Sequence, residues 1–106
     1  MNPYRGEVAL TLNGRAHIMR LTLGALAELE SALQAGSLLA LVERFEQGSF
    51  SASDLVALLL AGLRGGGADI DRDTLNAAEI EGGAVAAAQA GALLLKRAFT
   101  LPDAEI

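Results

Sequence analysis

The chain has 106 residues, enough for one domain, with a formal net charge of −5 and no cysteine. The acidic balance disfavours nucleic acid and anionic membranes as partners, because both need clustered Lys and Arg. The lack of cysteine excludes disulfides, zinc–thiolate sites and thiol redox chemistry, and it is compatible with a cytoplasmic location.

Two further observations limit the class of protein. The N-terminal residues have no apolar stretch behind their charge, so no signal peptide is expected. The longest apolar run, Leu55 to Leu63, is much shorter than the roughly 20 residues of a membrane-spanning helix, so it predicts a buried core helix.

The N-terminal part of the chain predicts a β-hairpin. The turn, Asn13-Gly14, is a strong hairpin signal, since a type I′ turn needs positive φ at both central residues. We expect the second strand to run from Arg15 to about Thr22. This turn fixes the pairing of Leu12 with Arg15, Leu10 with His17 and Val8 with Met19. The predicted inner face gathers Val8, Leu10, Leu12, His17, Met19 and Leu21.

Capping residues and helical periodicity predict two short helices after the hairpin. The first runs from Leu23 to about Gln34, between a Thr22 cap and a Gly36 stop. Its predicted inward residues are Leu26, Leu29 and Leu33, with Glu28 and Glu30 facing outward. The second is capped by Ser37, ends near Gln47 before Gly48, and places inward Leu38, Leu41, Val42 and Phe45.

Three more helices complete the prediction. Ser51 and Asp54 form a capping-box pattern, which begins an apolar central helix from about Ala52 to Arg64. Gly65-Gly66-Gly67 ends that helix. Asp71 or Asp73 caps a fourth helix that runs to about Ile80. The last, alanine-rich helix runs from about Ala84 to Phe99, before a Leu101-Pro102 stop.

The predicted fold class is therefore α+β, mostly α, with an N-terminal β-hairpin followed by about five short helices. We expect one domain over residues 1–106, with the hairpin at 1–22, the helices at 23–99 and a tail at 100–106.

No catalytic, metal or cofactor site is expected. His17 is the only histidine, and no nucleophile lies near it in the predicted register. The alternating Asp69, Asp71 and Asp73, with Glu79 and Glu81 after them, could suggest a cation loop. The glycine expected in a calcium loop is missing and Arg72 lies between the aspartates, so helix capping and solvation are the simpler interpretation. The glycine triplet at 65–67 follows a helix and carries no Lys, which excludes a phosphate loop.

Two binding alternatives remain open. Gly36-Ser37-Leu38 is similar to the Asp-Ser-Leu motif at which acyl carrier proteins attach phosphopantetheine, but Gly replaces the Asp. A DNA-binding helix-turn-helix is a second alternative, although Arg44 and Arg64 are the few basic residues on the candidate helices. A mass shift after treatment with a phosphopantetheinyl transferase would support the acyl carrier alternative. A salt-sensitive gel shift with DNA would support the helix-turn-helix alternative.

Two stretches carry a resemblance to a known family. The first is Met1-Asn2-Pro3-Tyr4-Arg5-Gly6-Glu7-Val8 before the Asn13-Gly14 turn, and the second is MRLTLGALAELE at 19–30. The most specific part of the resemblance is Leu21 to Glu30. Later stretches match in kind, at 38–45, 51–67, 77–83 and the alanine-rich end. The chain resembles the small tail protein of gene transfer agents, which are phage-like particles of α-proteobacteria.

This family is described both as a tail tube protein and as a tail assembly chaperone. One hairpin followed by five helices lacks the sizeable β-sandwich that a tube subunit needs, so the chaperone is favoured and a structural tube component is the alternative. The resemblance implies the tape measure protein and the tail tube protein as partners, during assembly of the particle. It carries over no active site. Homo-oligomerisation, a frameshift-extended form and retention in the mature particle stay open.

Two surfaces are candidates for partner binding. Phe45 and Phe50 are candidate anchors, because aromatic side chains concentrate binding energy, although both also suit a core. The hairpin edge at Val8 and Leu10 is the second candidate, since an exposed strand can add a strand from a partner.

Overall fold

A computed structural model describes residues 6–33 and 37–99. Within these ranges the order of elements is β1 (Val8–Leu12), β2 (Arg15–Met19), α1 (Leu23–Ala32), α2 (Leu38–Gln47), α3 (Ala52–Gly65), α4 (Arg72–Ala77) and α5 (Gly83–Phe99). The predicted fold class, a hairpin followed by five helices, is confirmed. The predicted Gly36 stop and the tail at 100–106 lie outside the described residues.

The hairpin has the predicted register, with Val8 opposite Met19, Leu10 opposite His17 and Leu12 opposite Arg15. Its turn residues take positive φ angles, 51° at Asn13 and 79° at Gly14, as a type I′ turn requires. The predicted inner face is confirmed, because Val8, Leu10, Leu12 and Met19 are buried and His17 and Leu21 are half-buried.

The second strand is shorter than predicted. It ends at Met19 instead of continuing to about Thr22. The cause is a tertiary hydrogen bond, since the Arg20 backbone N–H donates to the carbonyl oxygen of Gly62 on α3 at 2.9 Å. The chain thus leaves the hairpin along the C-terminal half of α3.

Helix α1 begins at the predicted cap, where the Thr22 hydroxyl accepts from the Ala25 N–H at 3.1 Å. Its core face is centred on Ala25 and Leu29, whereas Leu26 and Leu33 are only half-buried. The helix stops at Ala32, two residues before the predicted end, because Leu33 adopts an extended conformation and packs against the core.

Helix α3 is the central element, as predicted, and it contacts α1, α4, α5 and β2. Its capping box is complete: the Asp54 N–H donates to the Ser51 hydroxyl and the Ser51 N–H donates to the Asp54 carboxylate, both at 3.0 Å. The residues that α3 buries are Ala57, Leu58, Leu59, Ala61, Gly62 and Leu63.

The glycines that end α3 also let two backbones meet. A Cβ at Gly65 would overlap the carbonyl oxygen of Arg20, and one at Gly66 would overlap that of Ile18. Helix termination was the predicted role of the triplet, and close contact with the hairpin is a second role that the sequence pattern did not indicate.

Helix α4 is capped by Asp71, whose side chain accepts from the Thr74 N–H at 2.8 Å. It ends at Ala77, so the predicted continuation to about Ile80 is wrong. Residues 79–81 do not continue the helix because their backbone groups form hydrogen bonds with the hairpin. The Asn13 N–H donates to the Glu79 carbonyl at 2.8 Å, and the Glu81 N–H donates to the Thr11 carbonyl at 3.0 Å.

Candidate protein-binding site

An apolar groove lies between α2 and α5 on the outside of the bundle, with a volume of about 460 Å³. We call it the α2–α5 groove. Its lining residues are Val42, Phe45, Glu46, Ala92, Leu95, Lys96 and Phe99. The floor is apolar, and the two charged residues belong to opposite helices, Glu46 to α2 and Lys96 to α5. Exposed apolar surface rimmed by polar residues is typical of interaction sites.

The two predicted aromatic anchors contact each other, and one of them, Phe45, lines this groove. The rings of Phe45 and Phe50 are stacked, with centroids 4.2 Å apart and an interplanar angle of 6°. Both side chains are half-buried, and Phe45 packs against the core while also lining the groove. Phe45 can therefore contact a partner without leaving its place in the fold, whereas Phe50 stacks on Phe45 and is not among the residues that line the groove.

A partly buried ion pair between Arg44 and Asp54 holds α2, which forms one side of the groove, in place. Arg44 donates to Asp54 through two nitrogens, with Nε to Oδ2 at 2.9 Å and Nη2 to Oδ1 at 3.1 Å. Such a bidentate pair holds both side chains in one geometry. Because Asp54 is also the N3 residue of the α3 capping box, this one carboxylate links α2 to the start of α3.

The pair gives the fold a defined dependence on pH. Burial raises the pKa of Asp54, but hydrogen bonds from Arg44 and Ser51 outweigh that effect and hold the pKa below its ordinary value of 3.8. Since the pKa is lowered by folding, the stabilisation is fully present above the ordinary value. It is lost as the pH falls through the lower folded value.

We therefore expect Asp54→Asn to lower the free energy of unfolding by about 1–2 kcal/mol at neutral pH, through loss of charged hydrogen bonds. The difference from the wild type should shrink in strong acid, where the wild-type carboxylate is protonated too. Urea unfolding at both pH values measures this. Asp69→Asn, at an exposed aspartate, is the matched control. An equal loss at both pH values would contradict the assignment.

The hairpin edge, the second predicted surface, is largely occupied. The side chains of Val8 and Leu10 face the core, with only 4% and 5% of their surface exposed. On the outer edge of β1, Thr11 bonds to Glu81, and the Glu7 carbonyl accepts from the Arg97 guanidinium. A partner would therefore meet only a short free stretch of strand backbone at this edge.

A second cavity of about 470 Å³ lies beside the hairpin turn, with His17, Arg15 and Asp69 among its lining residues. His17 is half-buried there, against the apolar floor that Leu12 and Ile70 provide. Within 6–33 and 37–99, His, Asp and Glu residues form no group that could hold a metal ion. In the same ranges, no helix is both long and apolar enough to cross a bilayer.

Sequence reasoning missed most of the groove. The periodicity of α2 places Val42 inward with the core, and the sequence pattern names no residue of the last helix as a candidate for binding. A signal was present, since Val85, Ala88, Ala92, Leu95 and Phe99 recur at spacings of three and four residues. The pattern alone could not indicate which apolar face of that helix stays exposed.

The fold and the groove together define a small hairpin-plus-helices domain with an apolar groove on its surface. Comparison with known protein families identifies the family of the chain. Residues 5–100 match the model of the family described as "Phage tail tube protein, GTA-gp10", so the chain belongs to this family. No curated protein and no solved structure matches the chain.

Proposed function

We propose that the protein is a tail assembly chaperone of a phage-like gene transfer particle. In this role it binds the tape measure protein, and also the tail tube subunit, while the tail forms. Family membership supports a role connected with the tail. The observation that carries the chaperone role is the combination of an exposed apolar groove between helices and a hairpin with little free edge.

The hairpin edges argue against a tube wall. Rings closed by strand pairing need long exposed strand edges on both sides of a sheet. Here β1 is partly covered by residues 79–81, and the backbone of β2 packs against Gly66, the C-cap residue of α3. Within the described residues the sheet has two strands of five residues each. Such a sheet offers little surface for a ring.

The groove suits transient binding of helices. An amphipathic helix can lay its apolar face into a groove of this kind without strict sequence specificity. A partner that polymerising tube subunits later displace should be held by a modest interface, repeated along a long chain. No catalytic step is part of this role. The family description favours a second candidate, a structural component of the tail.

The two candidates predict opposite results in two measurements. If the protein is a chaperone, it should co-purify with the tape measure protein from cells that are assembling tails, and it should be absent from purified particles. Pull-down and quantitative mass spectrometry test this. Glu30→Lys is the control for an unspecific effect of changed surface charge, and it should bind the tape measure protein as the wild type does. Glu30 is exposed on α1 and is not among the residues that line the groove.

A structural component would give the reverse result. Many copies of the protein in each mature tail would overturn the chaperone proposal. Failure of the tape measure protein to bind under conditions where tails assemble would overturn it as well.

A further inference from the structure

Helix α5 has two apolar faces, of which its own fold covers one fully and the other only in part. Ala87, Gly91 and Leu94 are buried on the first face. A Cβ at Gly91 would lie 3.0 Å from Leu55 Cδ1 and 3.1 Å from Leu58 Cδ2, so this face packs closely on α3. The second face contains Val85, Ala88, Ala92, Leu95 and Phe99, which we call the α5 seam.

The α5 seam has the spacing of a coiled-coil interface. Its members alternate at intervals of three and four residues, as positions a and d of a heptad repeat do. At the usual helical rise the seam is roughly 21 Å long. This length corresponds to two heptads, enough to hold one segment of another helix.

Most of the seam is open to solvent. Val85 is 68% exposed and Phe99 is 47% exposed, and Ala92 between them is exposed as well. Leu95 is buried and forms the floor of the α2–α5 groove. The small side chains of Ala88 and Ala92 would let a second helix approach at the short interaxial distances of about 8–10 Å seen between packed helices.

Charge identifies the kind of helix that fits. The two sides of the groove differ in charge: Glu43 and Glu46 are exposed on α2, Glu46 lines the groove on that side, and Lys96 lines it on the side of α5. The chain as a whole carries a net charge of −5. A second copy of the chain would bring the same acidic α2 and the same net charge to the interface, which is unfavourable. A helix with Lys or Arg beside its apolar stripe would bring the complementary charge.

We propose that the α5 seam, with the α2–α5 groove at its C-terminal end, binds a single amphipathic helix of a partner protein. That helix has an apolar heptad stripe and basic residues flanking the stripe on the side of α2. The inference rests on the proposed function, in which the tape measure protein supplies the helix.

The central test is Ala92→Glu, which puts a charge in the middle of the seam. Glu is a good helix former and Ala92 is exposed, so the fold should persist. The matched control is Ala27→Glu, the same change at an exposed position inside α1. Binding is measured by titration calorimetry with two probes. One is the tape measure protein, and the other is a synthetic three-heptad peptide with Leu at a and d and Lys at e and g.

We expect Ala92→Glu to weaken binding of both probes at least about tenfold, with Ala27→Glu within about twofold of the wild type. Val85→Glu is a second variant, in the first turn of α5, where an acidic residue is favourable for the helix. It should weaken binding too. Its control is Leu23→Glu, in the first turn of α1, at a leucine that is 84% exposed.

Two further variants test whether the acidic residues of α2 attract the basic residues of the partner helix. Glu46→Lys should weaken binding of the Lys-flanked peptide several-fold, whereas Glu30→Lys, with the same charge change on α1, should leave it unchanged. Binding of a peptide with Glu at e and g should be weaker than that of the Lys peptide. Equal affinity for the two peptides would overturn the charge complementarity.

The outcomes separate this inference from the proposed function. If the tape measure protein binds the wild type and Ala92→Glu equally well, the α5 seam is not the surface, and the chaperone role stands. If the tape measure protein does not bind the wild type, the chaperone role fails, while the peptide still tests the seam. If the wild type is a dimer that Ala92→Glu dissociates and neither probe binds, the occupant is a second copy and the inference is wrong.

Discussion

Gly65→Ala is expected to lower the free energy of unfolding by about 3 kcal/mol, at the upper end of the usual cost of overpacking. The added Cβ would overlap the carbonyl oxygen of Arg20 and would approach the Cβ of Ala25 to 3.1 Å. The first neighbour is backbone, which cannot turn aside as a flexible side chain can. The hairpin and the end of α3 would have to separate.

The same substitution elsewhere should have the opposite sign. At Gly24, inside α1, the nearest atom to an added Cβ is the Thr22 hydroxyl at 4.0 Å. Gly24→Ala should therefore raise the free energy of unfolding by about 0.5 kcal/mol, the lower end of the advantage of alanine over glycine inside a helix, because Gly24 is the second residue of α1. Urea unfolding followed by helical circular dichroism measures both variants. A Gly65→Ala protein as stable as the wild type would contradict the close contact.

Local signals predicted the parts of the fold that depend on a few neighbouring residues. The Asn13-Gly14 turn sets the hairpin register through its own φ angles. The Ser51 and Asp54 side chains complete a capping box within three residues of each other. Such features need no distant partner, so the sequence contains all the information that determines them.

The predictions that failed depended on distant contacts. Residues 78–81 have no strong local stop, and they leave the helix because the hairpin offers hydrogen bonds to Glu79 and Glu81. Strand β2 ends early because Gly62, far along the chain, accepts the Arg20 N–H. Neither partner could be identified from periodicity, because both lie more than 40 residues away in sequence.

The candidate site was predicted only in part, for a related reason. Phe45 was named as an anchor and does line the groove, but Phe99 was not named. An alanine-rich helix such as α5 is apolar on several sides, so its sequence does not show which side faces the core. That choice depends on Gly91, whose missing side chain lets α3 approach this one face closely.

The position of the α5 seam depends on how α5 is anchored, and Leu94 is the main anchor. Its side chain is fully buried, with 0% exposure. A Cβ at Gly62 of α3 would lie 2.6 Å from Leu94 Cδ2 and 3.2 Å from the Cβ of Met19. Gly62 and Leu94 therefore fit together as a hole and the side chain that fills it.

Leu94→Ala should lower the free energy of unfolding by about 3 kcal/mol, through lost burial and the cavity left behind. Gly62→Ala should cost about 2 kcal/mol because its methyl group collides with Leu94. The double variant should cost about 1 kcal/mol less than the two single costs together, since the new methyl group enters the space that Leu94 vacated. Part of the Gly62→Ala cost should persist, because Met19 still lies close.

A double-mutant cycle in urea measures this coupling directly. The control cycle combines Gly62→Ala with Leu29→Ala, which removes a fully buried leucine of α1 that is not among the atoms nearest Gly62. The control pair should be additive within about 0.5 kcal/mol. If the Gly62 and Leu94 costs were additive as well, the two residues would not share one space. The packing that places α5 on α3, and with it the exposed seam, would then differ from that described above.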